Sequence, residues 1–323
     1  MGPILFLCYI NDLHAVTDLL TLMYADDTFT LDAGEDLNTL INTVNREINK
    51  IAIWFRANKL AVNIDKAKYI IFRMKGKKID KNTPDIIYNG NEPGQLYDHT
   101  LVTPLERYHD EHVSPECRAY KYLGIYLDEH LTLELHTTHI VNKLTRSLYC
   151  IKQARHIIPL KGMKSLYLAL IHSHLTHGTL LMNSITAKNK QRIFKIQKKA
   201  IRIITGSTYN AHTTPLFLQH NILPYEKLIT YSQLMFMHSV EYNYAPSSFE
   251  NTWQKNNERD PIRDLRNANE YFIMQPRTET FKESTLYALP FAWNNLVPEI
   301  RLQQNKITFK WALKAHLFED KDV

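Results

Sequence analysis

Apolar positions along this chain change their period several times, and each change marks a predicted element. Ile4, Leu5, Cys8, Tyr9 and Leu13 recur at helical spacing, which predicts a short core helix brought toward its end by Asn11-Asp12. Leu19 to Met23 and Thr28 to Leu31 are β-prone runs flanking Tyr24-Ala25-Asp26-Asp27, so the acidic pair is expected at the tip of a hairpin. Leu37, Leu40, Ile41, Val44, Ile48, Ile51, Ala52 and Phe55 then define a long amphipathic helix suited to packing on that sheet. Beyond it, Lys59 to Ile64 and Tyr69 to Phe72 read as two strands turning at Asp65-Lys66, giving the order hairpin, helix, hairpin.

Between Phe72 and Lys121 the periodicity fails, and Gly76, Pro84, Gly90, Pro93, Gly94, Pro104 and Pro115 punctuate the sequence. This predicts an insertion loop near residues 75–120, with Asp85 to Tyr88 as a short strand and Lys75, Lys77, Lys78 and Lys81 as a basic cluster in solvent. From Leu135 onward the pattern is helical. Ile140, Leu144, Leu148 and Ile151 mark one helix, Met163, Leu166, Tyr167, Leu170 and Ile171 a second, and Tyr225 to Val240 a largely buried one. Pro246 to Glu283 is rich in Asn and charge and reads as a linker or irregular lobe, after which Trp293 reads as a core aromatic.

Charge alters this picture in one place. The net charge of +6 is small for 323 residues, so the placement of the basic residues matters more than their excess. Thr186 to Thr205, closed by Gly206 as a helix C-cap, carries seven basic residues and no acidic one. Ile193, Ile196, Ala200 and Ile203 form its apolar stripe, and Lys188, Arg192, Lys195, Lys199 and Arg202 lie one residue away. At about 100° per residue the basic stripe is expected along the rim of the buried one, where it can follow a phosphate backbone. A solvated basic face is the alternative.

Other chemistry is narrowed by spacing. Cys8, Cys117 and Cys150 form no C-x-x-C pair, which argues for a reducing, intracellular setting (nucleus or cytoplasm) and against a disulfide framework or zinc ribbon. His172, His174 and His177 cannot converge on one ion from a helix, and the pairs His136/His139 and His109/His112 lack nearby Cys partners, so no zinc is expected. Met1 to Ile10 lacks a basic leader and a cleavage site, and Asp12 and Asp18 interrupt it before membrane-spanning length.

The remaining feature is Asp26-Asp27. Alone it is an ordinary turn pair. Alternation along a strand keeps both carboxylates from binding one ion equally, and Asp26 is the better candidate ligand. Mg²⁺ accepts one or two protein carboxylates and fills its octahedron with water and substrate phosphates. Taken in order and spacing, Gly2-Pro3-Ile4-Leu5-Phe6, Tyr9-Ile10-Asn11-Asp12-Leu13, Tyr24-Ala25-Asp26-Asp27, Trp54 with Asn58-Lys59-Leu60, Asn63-Ile64-Asp65-Lys66 and Lys121-Tyr122-Leu123-Gly124 resemble the reverse transcriptases of non-LTR retrotransposons, of the jockey-like or chicken-repeat-like kind.

That resemblance implies an RNA-directed DNA polymerase using an RNA template, a DNA primer, dNTP and two Mg²⁺ ions. Asp26 and Asp27 occupy the family's metal-binding motif, Lys66 matches a palm lysine suspected of assisting pyrophosphate departure, and Tyr122-Leu123-Gly124 opens the primer-grip hairpin. Ala67 departs from the Ser or Thr usual after that lysine. The implied fold is α+β: a partial palm of antiparallel sheet and packed helix over 1–130, a helical thumb-like domain over 131–245, and a C-terminal region with linker over 246–323. The family's fingers, first palm aspartate and Gln-Gly stretch precede Gly2-Pro3 and map to nothing here. A polymerase chain that begins too late, inactive alone, is therefore expected. A non-catalytic nucleic-acid-binding module and a decayed reading frame are the alternatives.

Overall fold

Pro3 sits in the first turn of α1 (Gly2–Ile10), where no backbone N–H partner is needed. The computed structural model describes residues 1–80, 82–90, 102–108, 119–259 and 267–319, and the chain divides into two units. The first comprises residues 1–121 and 128–131, the second residues 122–127 and 132–323. His109, His112, Cys117 and Lys81, considered above, lie outside the described residues.

In the first unit α1 leads through a 3₁₀ turn, Leu13–Ala15, into β1 (Leu20–Tyr24) and β2 (Asp27–Leu31). Phe6, Ile10, Leu13, Leu19 and Met23 pack against Val44, Ile48, Ile51 and Trp54 of α2 (Leu37–Ala57), whose start is capped by the Asp36 carboxylate accepting from the Thr39 N–H. The expected buried face of α1 is corrected: Ile4 is 69% exposed and Leu5 63%, and Cys8 and Tyr9 are also exposed. This helix is apolar nearly all round, so periodicity had no polar face from which to choose a buried one.

Glu47 on α2 is a fully buried charge of this unit. Its carboxylate accepts from Lys50 Nζ at 2.8 Å, the Asp18 N–H at 3.0 Å, Thr17 Oγ1 at 3.1 Å and Arg46 Nε at 3.3 Å. It thereby staples α2 to the segment entering β1. The Lys50 contact above all, then the Asp18 N–H, hold its pKa down at about 2 against the opposing effect of desolvation.

The second expected hairpin is absent. Lys59 to Asn63 forms no strand and leads into a 3₁₀ turn, Ile64–Lys66, capped by Asn63 Oδ1 accepting from the Lys66 N–H at 3.3 Å. β3 (Lys68–Ile70) pairs not with its neighbour but in parallel with β6 (Glu106–Tyr108), while β4 (Ile87–Asn89) pairs antiparallel with β5 (Val102–Pro104). Asn45 of α2 carries β4: its Nδ2 donates to the Asp85 carbonyl at 3.0 Å, and its Oδ1 accepts from the Ile87 N–H at 2.8 Å. A side-chain amide standing in for a strand backbone leaves no trace in an apolar pattern.

β7 (Tyr120–Tyr122) and β8 (Ile125–Leu127) follow, the latter within the second unit. The helices there are α3 (Glu134–Ala154), α4 (Leu160–Tyr167), α5 (Ser173–Thr176), α6 (Ala187–Thr205), α7 (Thr213–Gln219), α8 (Tyr225–Glu241), α9 (Asn256–Arg259), α10 (Glu279–Glu283), α11 (Thr285–Asn294), α12 (Pro298–Arg301) and α13 (Lys306–Glu319). A π-helical turn, Leu168–His172, joins α4 to α5. Ile140, Leu144 and Ile151 of α3, Tyr167, Ile193, Ala200 and Ile204, Leu228 and Leu234, Trp293 and Phe309 share one core.

The stretch read as linker is in part bound into that core. Tyr271 is buried, exchanges hydrogen bonds with the Asn294 side chain, and donates from its hydroxyl to Glu241 at 2.6 Å. Composition hid this because the anchors are one tyrosine and polar partners. The described architecture is α+β, helical for the most part, with two-stranded sheets.

Glu47 yields a prediction for acid stability. A carboxylate held below its ordinary pKa contributes stability that is complete above pH 4.5 and lost as pH falls toward 2. Glu47→Gln is expected to lower stability at pH 7 and to flatten the decline between pH 4.5 and 2.5. Urea unfolding across that range checks it; parallel pH dependences in both proteins would refute the assignment.

Candidate functional site

The acidic turn is built by register. β1 and β2 pair from Leu20↔Leu31 to Tyr24↔Asp27, leaving Ala25 and Asp26 as a two-residue loop. Ala25 carries φ of 53°, and a positive φ at the first loop residue is the II′ geometry whose twist matches the strands. A side chain there is strained, at a cost of about 1 kcal/mol against glycine. Asp26 stands at the tip and Asp27 opens β2, and both are exposed. Because Asp26 is a turn residue, the strand alternation expected to separate the two carboxylates does not govern it.

Directly paired residues share a face, so Asp27 lies with Tyr24, Leu22 and Phe29, whereas Met23 points into the core. Lys66 is exposed on its 3₁₀ turn. Among the described residues no group of three or more His, Cys, Asp or Glu is placed to hold a metal ion.

In the second unit, Leu123 and Gly124 form the β7–β8 turn with φ of 45° and 86°. Two positive values define a I′ turn, which Gly124 fits and Leu123 tolerates under strain. His177 Nε2 lies 3.0 Å from the Leu123 carbonyl oxygen, and a Cβ at residue 124 would stand 3.2 Å from the same nitrogen. The turn is thus seated on His177, and Tyr126 of β8 rests against His139, ring centroids 4.8 Å apart. His136 beneath it is buried and held at a pKa of about 4 by desolvation, then by His139, His177 and Lys143. His136, His139 and His177 thus support this hairpin, a role their metal-ligand spacing does not signal.

The basic helix follows expectation in its ends and departs from it in its rotation. Thr186 caps α6 and Gly206 closes it with φ of 70°. Its buried residues are Asn189, Ile193, Gln197, Ala200, Ile201 and Ile204, while Ile196 and Ile203 are half-buried. At about 100° per residue, Lys188, Arg192, Lys195, Lys199 and Arg202 centre roughly 150° from the buried set. The stripe faces outward and does not run along the rim. Apolar patterning could not reveal this, because Asn189 and Gln197 are polar and buried.

Lys188, Lys195 and Lys199 are exposed, whereas Arg192 donates to Asn189 Oδ1 at 3.0 Å and Arg202 Nε to the Ala211 carbonyl at 2.9 Å. Lys198 covers the Phe194 ring at 4.1 Å. Among the described residues no carboxylate pairs with any α6 cation. Three lysines therefore stand ready for external anions.

Strain at Ala25 leads to a second prediction. Ala25→Gly is expected to stabilise the first unit by about 0.5–1 kcal/mol, since glycine adopts the left-handed region freely. Denaturant unfolding measures it; destabilisation would show that the turn is not of this type.

No family model matches the chain, and no solved structure matches it. Among curated proteins, it is 23% identical over 253 residues to a probable RNA-directed DNA polymerase from transposon X-element of Drosophila melanogaster, covering 75% of this chain and 24% of that protein. To the RNA-directed DNA polymerase from mobile element jockey, also of Drosophila melanogaster, it is 26% identical over 228 residues, covering 66% of this chain and 22% of the other. The chain thus spans about a quarter of the length of these relatives. Over most of its length the chain is similar in sequence to the reverse transcriptases of non-LTR retrotransposons of the jockey-like kind.

Proposed function

We propose that this chain is the palm and thumb portion of an RNA-directed DNA polymerase, which copies an RNA template from a DNA primer. The observation that carries the reading is the two-residue turn that exposes Asp26 beside Asp27 in a chain similar to such polymerases. Asp26 and Asp27 are the metal-binding carboxylates. Their hard oxygen donors suit Mg²⁺, which bound there would neutralise charge on the nucleotide phosphates. Two ions about 3.5–4 Å apart call for carboxylates converging from more than one strand, and among the described residues no group of three or more His, Cys, Asp or Glu is gathered to hold a metal ion. The tip accordingly fits one ion and does not by itself fit a pair.

Lys66 places an ammonium group on an exposed turn, positioned by Asn63, for the charge that develops on departing pyrophosphate. The Leu123-Gly124 turn, held by His177, presents backbone to the primer strand. Lys188, Lys195 and Lys199 contact phosphates of the template and primer, with Arg192 and Arg202 beside them.

The chain alone is expected to extend no primer annealed to RNA in the presence of Mg²⁺ and dNTPs. Incorporation above background that Asp26→Ala abolishes would overturn catalytic incompleteness while supporting the site. Nucleic-acid binding is tested separately. Three phosphate contacts should make log K fall by about 2 to 3 per tenfold rise in salt, and Lys195→Glu with Lys199→Glu should cut that slope by about 1.5. A salt-independent affinity, or a slope unchanged in the double variant, would remove α6 from the interface.

A further inference from the structure

The second unit also contains an apolar cleft of about 910 Å³ to which α6 contributes no residue. That volume is the size of a ligand or side-chain cluster site. One wall is aromatic: Phe236 of α8 meets Phe249 edge-on at 5.2 Å and Trp253 at 6.1 Å, while Phe249 and Trp253 lie nearly parallel at 6.4 Å. The exposed start of α13 contributes a lip to the lining, with Lys306 and Lys310 one turn apart and Ile307, 67% exposed, beside them.

Three hydroxyls of the cleft already donate to backbone carbonyls, while the buried Trp253 Nε1 has no partner among the described residues and is a donor open to a carboxylate or carbonyl of a bound segment. The hydroxyl of Thr176 donates to the His172 carbonyl at 3.0 Å, that of Thr179 to the Leu175 carbonyl at 3.0 Å, and that of Ser232 to the Leu228 carbonyl at 2.9 Å. These three donors are used within their own segments, and the apolar walls can receive apolar side chains. Among the described residues no acidic side chain lines the cleft. Among the described residues neither rim lysine has a carboxylate partner. A cationic lip over an apolar floor is complementary to an acidic amphipathic segment.

We propose that the cleft binds an acidic peptide segment of a partner protein, with leucine or aromatic side chains on the Phe236, Phe249 and Trp253 wall and carboxylates on Lys306 and Lys310. Such anchoring follows the groove mode of peptide recognition, in which apolar anchors supply affinity and rim charges supply specificity. The site is independent of the polymerase reading, since none of its residues belongs to the acidic turn or the basic helix.

Selection from a displayed library of random 16-residue peptides on the purified full chain tests it. Enriched peptides are expected to combine leucine or aromatic residues with Asp or Glu three or four positions away. Their synthetic versions should bind at least tenfold more weakly to Lys306→Glu/Lys310→Glu and to Ile307→Asp. Both changes lie on the exposed lip, and unchanged thermal unfolding establishes that the fold survives. The proposal falls if nothing is enriched, if the enriched peptides lack acidic residues, or if both variants bind them as the parent does. It also falls if a twelve-nucleotide oligothymidylate binds more tightly than the peptides and loses affinity in the same variants, which would assign the cleft to nucleic acid.

Discussion

Gln197 fixes the rotation of α6, and with it the direction in which the whole basic stripe looks. The side chain is fully buried, and its Nε2 donates to Tyr167 Oη at 3.0 Å and to the Leu223 carbonyl at 2.9 Å. Any substantial turn of the helix about its axis would break both bonds inside the core, leaving two buried acceptors unpaired at about 1–3 kcal/mol each. Apolar contacts alone constrain rotation less sharply, because Ile196 and Ile203 flank the stripe and can exchange places with Ile193 and Ile201 at modest cost. A polar bond in the core therefore determines a property of the surface. Tyr167 is tied into the same arrangement, and burial pushes its pKa well above the ordinary phenol range, so its hydroxyl remains neutral at physiological pH.

A second constraint recurs at the two hairpin tips. Ala25 and Leu123 both hold a left-handed conformation that glycine would adopt more readily. In each case a neighbouring element over-determines the turn. Met23 is anchored in the core beside the first, and His177 Nε2 donates to the Leu123 carbonyl at the second. The strain has a geometric return: a two-residue loop keeps Asp26 within one residue of the last strand pair, where a longer loop would let it wander. Preorganised charge is worth more to phosphoryl chemistry than charge on a mobile loop, because no reordering is required as the transition state forms.

What the sequence made legible depends on whether a residue acts through its own apolarity or through a partner. Thr186 and Gly206 as the ends of α6, the hairpin around Asp26-Asp27, and the long helix carrying Val44, Ile48 and Ile51 each follow from local patterns, and each appears where expected. The parallel pairing of β3 with β6 does not, because it joins residues nearly forty apart and no local rule anticipates it. Glu47, Asn45 and Gln197 give no local signal for a related reason. Each is polar, each lies on a helix face, and each is recognisable only from the carbonyls, amides and ammonium groups that other segments bring to it. α1 shows the converse failure, where apolar residues on nearly every side gave periodicity nothing to discriminate.

The two units thus carry opposite chemistry. The first exposes two carboxylates on a strained turn, and the second exposes lysines along one helix face. A nucleotidyl transfer requires both, since the polyanionic substrate must be drawn in and its reacting phosphate then neutralised at one point. Lysines alone, spread along about three turns of helix, can neutralise a backbone but cannot focus charge on a single phosphorus. Two adjacent carboxylates alone repel the substrate until a metal reverses their sign. A net charge of +6 does not reveal this division between an acidic tip and a basic face, because it sums the two carboxylates of one and the seven cations of the other with every remaining charge of the chain.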